Sequence, residues 1–210
     1  MRRREAIALA AKITVGAGLT AADRAILDAP VAASPVPARI GTSDVKRLRA
    51  TTRSLMAQDK ALGGCCREAV FGYLNWAQQL RKASASDEVR RALEAALSRL
   101  ENLAGWTSYN LCLPVSAQRC YLRSLESARR ADDPLLTAHA LGTLGRLYLQ
   151  AGHFSEALQF LRLGALPVQD VTSPRMLTGL ALSEAQAYSR PAQHRRGSAS
   201  PAPSRTALCA

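Results

Sequence analysis

Aromatic residues are scarce in this chain, making up 5% of its 210 residues. A core built on stacked rings is therefore excluded, and the plentiful Ala and Leu favour helices that pack closely through small side chains. Long apolar runs are also missing. A membrane-spanning helix needs roughly 18 or more uncharged apolar residues. Here the run after Glu5 stops at Lys12 and the next stops at Asp23, so no anchor is expected. Lys12 also interrupts the only place for the apolar stretch of an export signal. The cleavage-like "PVAAS" downstream keeps an exported protein as an alternative.

Metal-ligand spacing is absent as well. The five cysteines (Cys65, Cys66, Cys112, Cys120 and Cys209) contain no Cys-x2-Cys pair, and His139, His153 and His194 do not cluster with them. A zinc site is not expected. The odd count and the adjacent pair point to reduced thiols in a cytoplasmic protein. No Gly-x-Ser-x-Gly, His-Glu-x2-His or phosphate loop occurs, and "GAGLTA" at residues 16–21 lacks the strand that precedes a nucleotide-binding turn. Asp132 and Asp133 are adjacent and read as a helix cap. The chain is expected to be no enzyme, with no cofactor and no metal.

The net charge of +12 lacks focus. Residues 1–43 carry +3, residues 44–189 carry +5 and residues 190–210 carry +4. More than half the excess sits in the ends, whereas a helical DNA reader concentrates charge on one face. Most of this charge reads as solvated surface.

What the chain does hold is helical spacing. Residues 1–43 read as a lead-in segment ending in a Pro-rich linker at 28–42. "SDVKRLRATTRSLMAQDKALGG" then places Val45, Leu48, Thr52, Leu55 and Met56 at helical intervals, with Ser43 as a cap and Gly63–Gly64 as a stop. Val70, Leu74, Ala77 and Leu80 line a second helix, and Ser86 caps a third with acidic residues in its first turn. Further helices follow around "VSAQRCYLRSLESARRA", after Asp133–Pro134, at "HFSEALQFLRLGA" and after Ser173–Pro174.

The two proline starts define an offset, from Pro134 to Pro174. The same offset pairs Tyr148 with Tyr188, Gly105 with Gly145, Ala117 with Ala157 and Leu141 with Ala181. Leu141-x2-Leu144-Gly145-x2-Tyr148 followed by Ala157-x3-Leu161 matches the tetratricopeptide pattern, with Leu141 in place of Trp and Leu161 in place of Phe. Gln169 stands at the closing proline position. Gly152 separates the two helices, and Gly145 and Ala157 are expected to meet where they cross. The repeat around Gly105 and Ala117 reads as degenerate. The expected fold is all-α, a right-handed superhelical solenoid of antiparallel, tetratricopeptide-like helix pairs with about seven helices over residues 44–189. Residues 190–210 read as a disordered basic Pro/Ser/Arg tail standing where a further helix would be, as if the repeat were lost by truncation or a frame change.

The stretches "SDVKRLRATTRSLMAQDKALGG", "REAVFGYLNWAQQL", "LENLAGWTSY" and "AQRCYLRSLESARRADDPLLTAHAL" together resemble the C-terminal half of actinobacterial helix-turn-helix transcriptional regulators, over residues 1–189. Those proteins join a DNA-binding domain to a tetratricopeptide-like sensor. The resemblance implies a regulatory sensor or dimerisation module. No helix-turn-helix fits residues 1–43, which lack the needed helices, so direct DNA binding has little basis. A DNA-binding regulator using the basic ends stays as an alternative.

In such arrays the first helix of each pair lines the groove. The resemblance carries that role to Arg99, Asn102, Trp106, Tyr109 and Asn110 on one helix, and to His139, Arg146 and Gln150 on the next. Arg99, Asn102, Trp106 and Tyr109 share one helical face. Cations, amides and rings there suit a peptide or protein partner, and a homodimer is compatible with the resemblance. The competing reading makes Trp106 and Tyr109 core residues and Arg99 a solvated charge.

Overall fold

The computed structural model describes residues 11–13, 18, 20–27, 35–62, 65–169 and 173–196, the side chains of 190–196 excepted. The chain divides into two units at residues 35 and 36.

In the first unit a short helix, α1, spans Ala21–Leu27. Thr20 and Asp23 cap it reciprocally: the Thr20 N–H donates to Asp23 Oδ2 at 2.9 Å and the Asp23 N–H donates to Thr20 Oγ1 at 3.2 Å. Lys12 Nζ lies 2.7 Å from the same carboxylate. These bonds hold the Asp23 carboxyl down at a pKa of about 2. The lead-in segment thus holds a capped helix, because Thr20-x2-Asp23 is a capping pair.

The second unit begins inside the expected linker. Ile40 is buried, its N–H donates to the Ser84 carbonyl at 3.0 Å, and the Ser84 N–H donates to the Ala38 carbonyl at 2.9 Å. An apolar side chain with a place in the core draws residues 38–41 onto the domain.

Helices follow in order: α2 Thr42–Leu62, α3 Arg67–Gln79, α4 Asp87–Asn110, α5 Pro114–Arg130, α6 Pro134–Gln150, α7 Phe154–Ala165 and α8 Pro174–Arg196. Single 3-10 turns occupy Leu80–Lys82 and Leu166–Val168. Among the described residues there are no strands. The all-α solenoid expected from the periodicity is the architecture observed.

Caps fall largely where the sequence puts them. Ser86 Oγ accepts from the Val89 N–H and Asp133 Oδ1 accepts from the Leu136 N–H at 2.9 Å. The start of α2 differs. The helix begins at Thr42, so Ser43 lies inside it, and Asp44 does the capping by accepting from the Gly41 N–H at 2.8 Å. The stop expected at Gly63–Gly64 and the tail from 197 onward lie outside the described residues. Helix α8 runs to Arg196, past the boundary expected at 189. Pro191 removes one hydrogen bond there, and the flanking Ala, Gln and Arg residues have good helix propensity.

The repeat is finer than the offset between Pro134 and Pro174. Helices start at Pro114, Pro134, Phe154 and Pro174, at even intervals and twice as often. The turns before three of them share one geometry. Cys112, Asp132 and Gly152 have φ of 57°, 54° and 82°. The following N–H groups of Leu113, Asp133 and His153 donate back to the carbonyls of Ser108, Ala128 and Tyr148. This is a Schellman stop in each case, satisfying carbonyls the helix end leaves free.

The core is segmented, as expected when each pair buries its apolar face only against neighbours. The largest segment joins Val45 and Leu48 of α2, Val70, Leu74 and Ala77 of α3, and Leu93, Leu97 and Leu100 of α4. Met56, expected on the buried stripe, is 38% exposed. Ala117 and Tyr121 of α5 pack on Leu144 and Leu147 of α6, and Ala138, Leu161 and Leu180 join α6, α7 and α8.

Two helix crossings are built alike, one at Gly105 and the other a full repeat later at Gly145. A Cβ on Gly145 would sit 2.8 Å from Leu161 Cγ and 3.2 Å from the Ala157 carbonyl oxygen. A Cβ on Gly105 would run into the Tyr121 ring. Ala117 and Ala157 are both fully buried. Tyr121 therefore fills the aromatic position of the Ala-x3-Phe element, which makes the earlier repeat better formed than its sequence suggests.

Candidate functional site

The first helices of successive pairs approach one another: α4 touches α6 and α6 touches α8, while the second helices α5 and α7 stay further apart. One layer of the solenoid is thus α4, α6 and α8, and their outward stripes make a continuous inner face. All eight candidate residues lie on α4 or α6. Arg99, Trp106, Asn110, His139, Arg146 and Gln150 are exposed, and Asn102 and Tyr109 are half-buried.

The two readings of this stripe separate residue by residue. Trp106 is 47% exposed, too open for a core residue, and its ring lies 6.1 Å from that of Tyr109. Tyr109 also packs against the Ala117, Tyr121, Leu144 and Leu147 cluster, so it supports the core as well as the stripe. Asn102 is committed to structure, since its Nδ2 donates to Thr143 Oγ1 at 3.1 Å and ties α4 to α6. Arg99 and Arg146 form no ion pair with any described residue. Both lie close enough to His139 to affect it. Its pKa is lowered, first because the surrounding helices strip water from the ring, then by the charges of Arg146 and Arg99. The imidazole edge nevertheless keeps contact with solvent.

Between α6 and α8 this face deepens into a cavity of about 380 Å³. His139, Arg146, Ser173 and Arg175 supply its polar lining, and Met176 and Leu180 are among its apolar lining. Among the described residues no carboxylate lines it. Arg175 and the α8 wall escaped the sequence reading, because the carried-over groove positions stopped at the second pair. The repeat offset places Arg175 opposite Leu135, at a helix start, and could have flagged it.

A buried polar network lies behind α4. Arg81 forms a two-point contact with Glu94, Nε to Oε1 at 2.9 Å and a terminal nitrogen to Oε2 at 2.8 Å. The same guanidinium donates to Ser127 Oγ at 2.8 Å, and Ser127 Oγ donates to Glu101 Oε2 at 2.5 Å. Gln78 Nε2 donates to Glu101 Oε1 at 3.1 Å. Burial pushes the Glu101 carboxyl up, partly opposed by the Ser127 and Gln78 bonds and the Arg81 charge. This network fastens the α3 end to the first repeat. Its sequence signal is a pair of glutamates two turns apart on the helix face that also carries Leu97 and Ala104.

Among the described residues no group of three or more His, Cys, Asp or Glu could hold a metal ion, and no helix is long and apolar enough to cross a membrane. Cys65, Cys66 and Cys120 carry free thiols, whereas Cys112, in the exposed α4–α5 turn, is disulfide-bonded, so the expectation of reduced thiols fails there.

Residues 93–163 match the tetratricopeptide repeat family. The match covers α4 from Leu93 through most of α7, the part where the two glycine crossings lie. This region is a tetratricopeptide-like domain, and such repeats are protein–protein interaction modules. No curated protein and no solved structure matches the chain. The Gly145–Ala157 spacing follows the family pattern. The repeat from Pro134 to Pro174 is longer than the family's usual one.

Proposed function

We propose that this protein is a regulatory interaction module that binds a peptide segment of a partner along the α4–α6–α8 face. The observation that carries the reading is Trp106, a large ring left 47% exposed on the inner layer beside unpaired Arg99 and within the same stripe as Arg146. Exposed rings flanked by guanidinium groups supply apolar contact area and charged donors together, the pairing common at protein interfaces. The resemblance to helix-turn-helix regulators supports placing the module in transcription control, with the partner or an associated subunit reading DNA.

The test is a peptide-display selection on the full chain, followed by affinity measurements on a Trp106→Ala, Arg146→Ala double variant. Selected peptides are expected to lose at least about tenfold in affinity, since anchors of this type each contribute more than about 1 kcal/mol. Equal affinity for both proteins would overturn the groove, and a selection that enriches no peptide would overturn peptide binding itself.

A further inference from the structure

The cavity between α6 and α8 has a composition that peptide binding in general does not demand. Arg146 enters it from α6 and Arg175 from the first turn of α8, with His139 between α4 and α8 on the same stripe as Arg146. The charge of Arg99, on α4, acts on the same imidazole. None of the three arginines has a carboxylate partner among the described residues, and two of them, Arg146 and Arg175, face one cavity. Like charges gathered around a cavity with no counter-charge among its described lining residues repel one another, and an anion inside removes that repulsion.

We propose that this cavity holds a phosphate ester on the partner peptide, a phosphorylated side chain. The proposal rests on the groove reading above and names what its deep end recognises. A carboxylate would balance one guanidinium and leave the second uncompensated. A phosphate ester carries a charge near −2 and three acceptor oxygens, which suits two guanidinium forks and the Ser173 hydroxyl. The volume of about 380 Å³ holds the phosphate and its carrying side chain, with Met176 and Leu180 against the apolar stem. Gly179 keeps one wall low, with nothing within 4 Å of where a Cβ would stand.

His139 makes binding proton-linked. The charged groups that face it are Arg99 from α4, Arg146 from its own helix and Arg175 across the cavity, all cationic. In the free protein burial first, and then the charges of Arg146 and Arg99, disfavour the imidazolium. A docked dianion reverses the local field, so His139 takes up a proton on binding and affinity rises as pH falls.

The test compares dye-labelled short peptides with a central phosphoserine, serine or glutamate, drawn from sequences selected on the full chain, with inorganic phosphate as competitor. The phosphoserine peptides are expected to bind at least about tenfold tighter than the serine forms, and tighter than the glutamate forms. Arg146→Gln with Arg175→Gln should erase that preference while circular dichroism shows the fold intact. From about pH 7.5 to about pH 6.5 the wild type should gain about three- to tenfold relative to His139→Asn, a comparison that cancels titration of the phosphate itself. Equal binding of phosphoserine and serine peptides, with Trp106 still required, would overturn the phosphate pocket and leave the groove standing. Equal binding of glutamate and phosphoserine would also overturn it, in favour of a carboxylate site. Failure of every peptide would bring down the groove reading beneath it.

Discussion

Replacing Gly145 by Ala adds one methyl group where α6 crosses α7. In an open helix that change stabilises by about 0.8–1 kcal/mol, because Gly is a poor helix former. At Gly145 the new Cβ would stand 2.8 and 2.9 Å from Leu161 Cγ and Cδ2, and 3.2 Å from the Ala157 carbonyl oxygen. The Leu161 side chain is 1% exposed and has nowhere to swing, and the carbonyl belongs to the facing helix backbone. The helices must separate, at the about 1–3 kcal/mol typical of overpacking. Subtracting the propensity gain leaves a net destabilisation of up to about 2 kcal/mol. Gly72 is the control, since it lies exposed within α3 and a Cβ there meets nothing within 4 Å. Gly72→Ala should therefore stabilise by about 0.5–1 kcal/mol. Urea unfolding followed by circular dichroism reads both, with the slope unchanged and the midpoints moving in opposite directions. A double-mutant cycle sharpens the point. In a Leu161→Ala background the added methyl meets only the carbonyl, so Gly145→Ala should cost less than in the wild type. If Gly145→Ala stabilises as much as Gly72→Ala, the close crossing is not what the glycine is for.

Further outcomes follow from the same structure. Arg81→Met strands Glu94 and Glu101 and should destabilise by about 2–4 kcal/mol, below the full range for a buried pair because the Arg81 side chain keeps 27% of its surface in water; a change under about 0.5 kcal/mol in urea unfolding would contradict the network. Glu101 has a raised carboxyl pKa, so the folded state holds its proton more tightly than the unfolded chain, and this residue's contribution falls as pH rises from about 4 through the raised value. The stability of wild type relative to Glu101→Gln should decline over that interval, and a flat difference would show that burial does not penalise the charge. Cys65 is exposed while Cys66 and Cys120 are buried with raised thiol pKa values, so iodoacetamide mapped by mass spectrometry should label Cys65 well before the other two.

The helical-repeat fold was legible because its decisive contacts are local and use small residues. Gly145, Tyr148 and Ala157 carry the helix crossing in their own spacing, and Asp133–Pro134 is a cap that needs no tertiary partner. The stops at Cys112 and Asp132 were hidden, because the left-handed turn usually announces itself with Gly and here does so only at Gly152. Tyr121 was missed for a related reason: a ring filling the space above Gly105 is visible only once the helices are packed. Glu94 and Glu101 meet their counter-charge only once the turn after α3 brings Arg81 over them. In the candidate site, the stripe from Arg99 to Gln150 could be written down from helical spacing. The cavity could not, since it depends on α8 lying beside α6 and bringing Arg175 opposite Arg146.

The central claim is that the inner face made by α4, α6 and α8 is the binding surface of this domain. Its most direct measurement is the affinity of a display-selected peptide for three proteins: wild type, Trp106→Ala on the inner face, and Arg123→Ala on the exposed outer side of α5. The account predicts a loss of at least about tenfold for Trp106→Ala and a change of less than about twofold for Arg123→Ala. Equal affinities for all three, or a loss confined to Arg123→Ala, would contradict it.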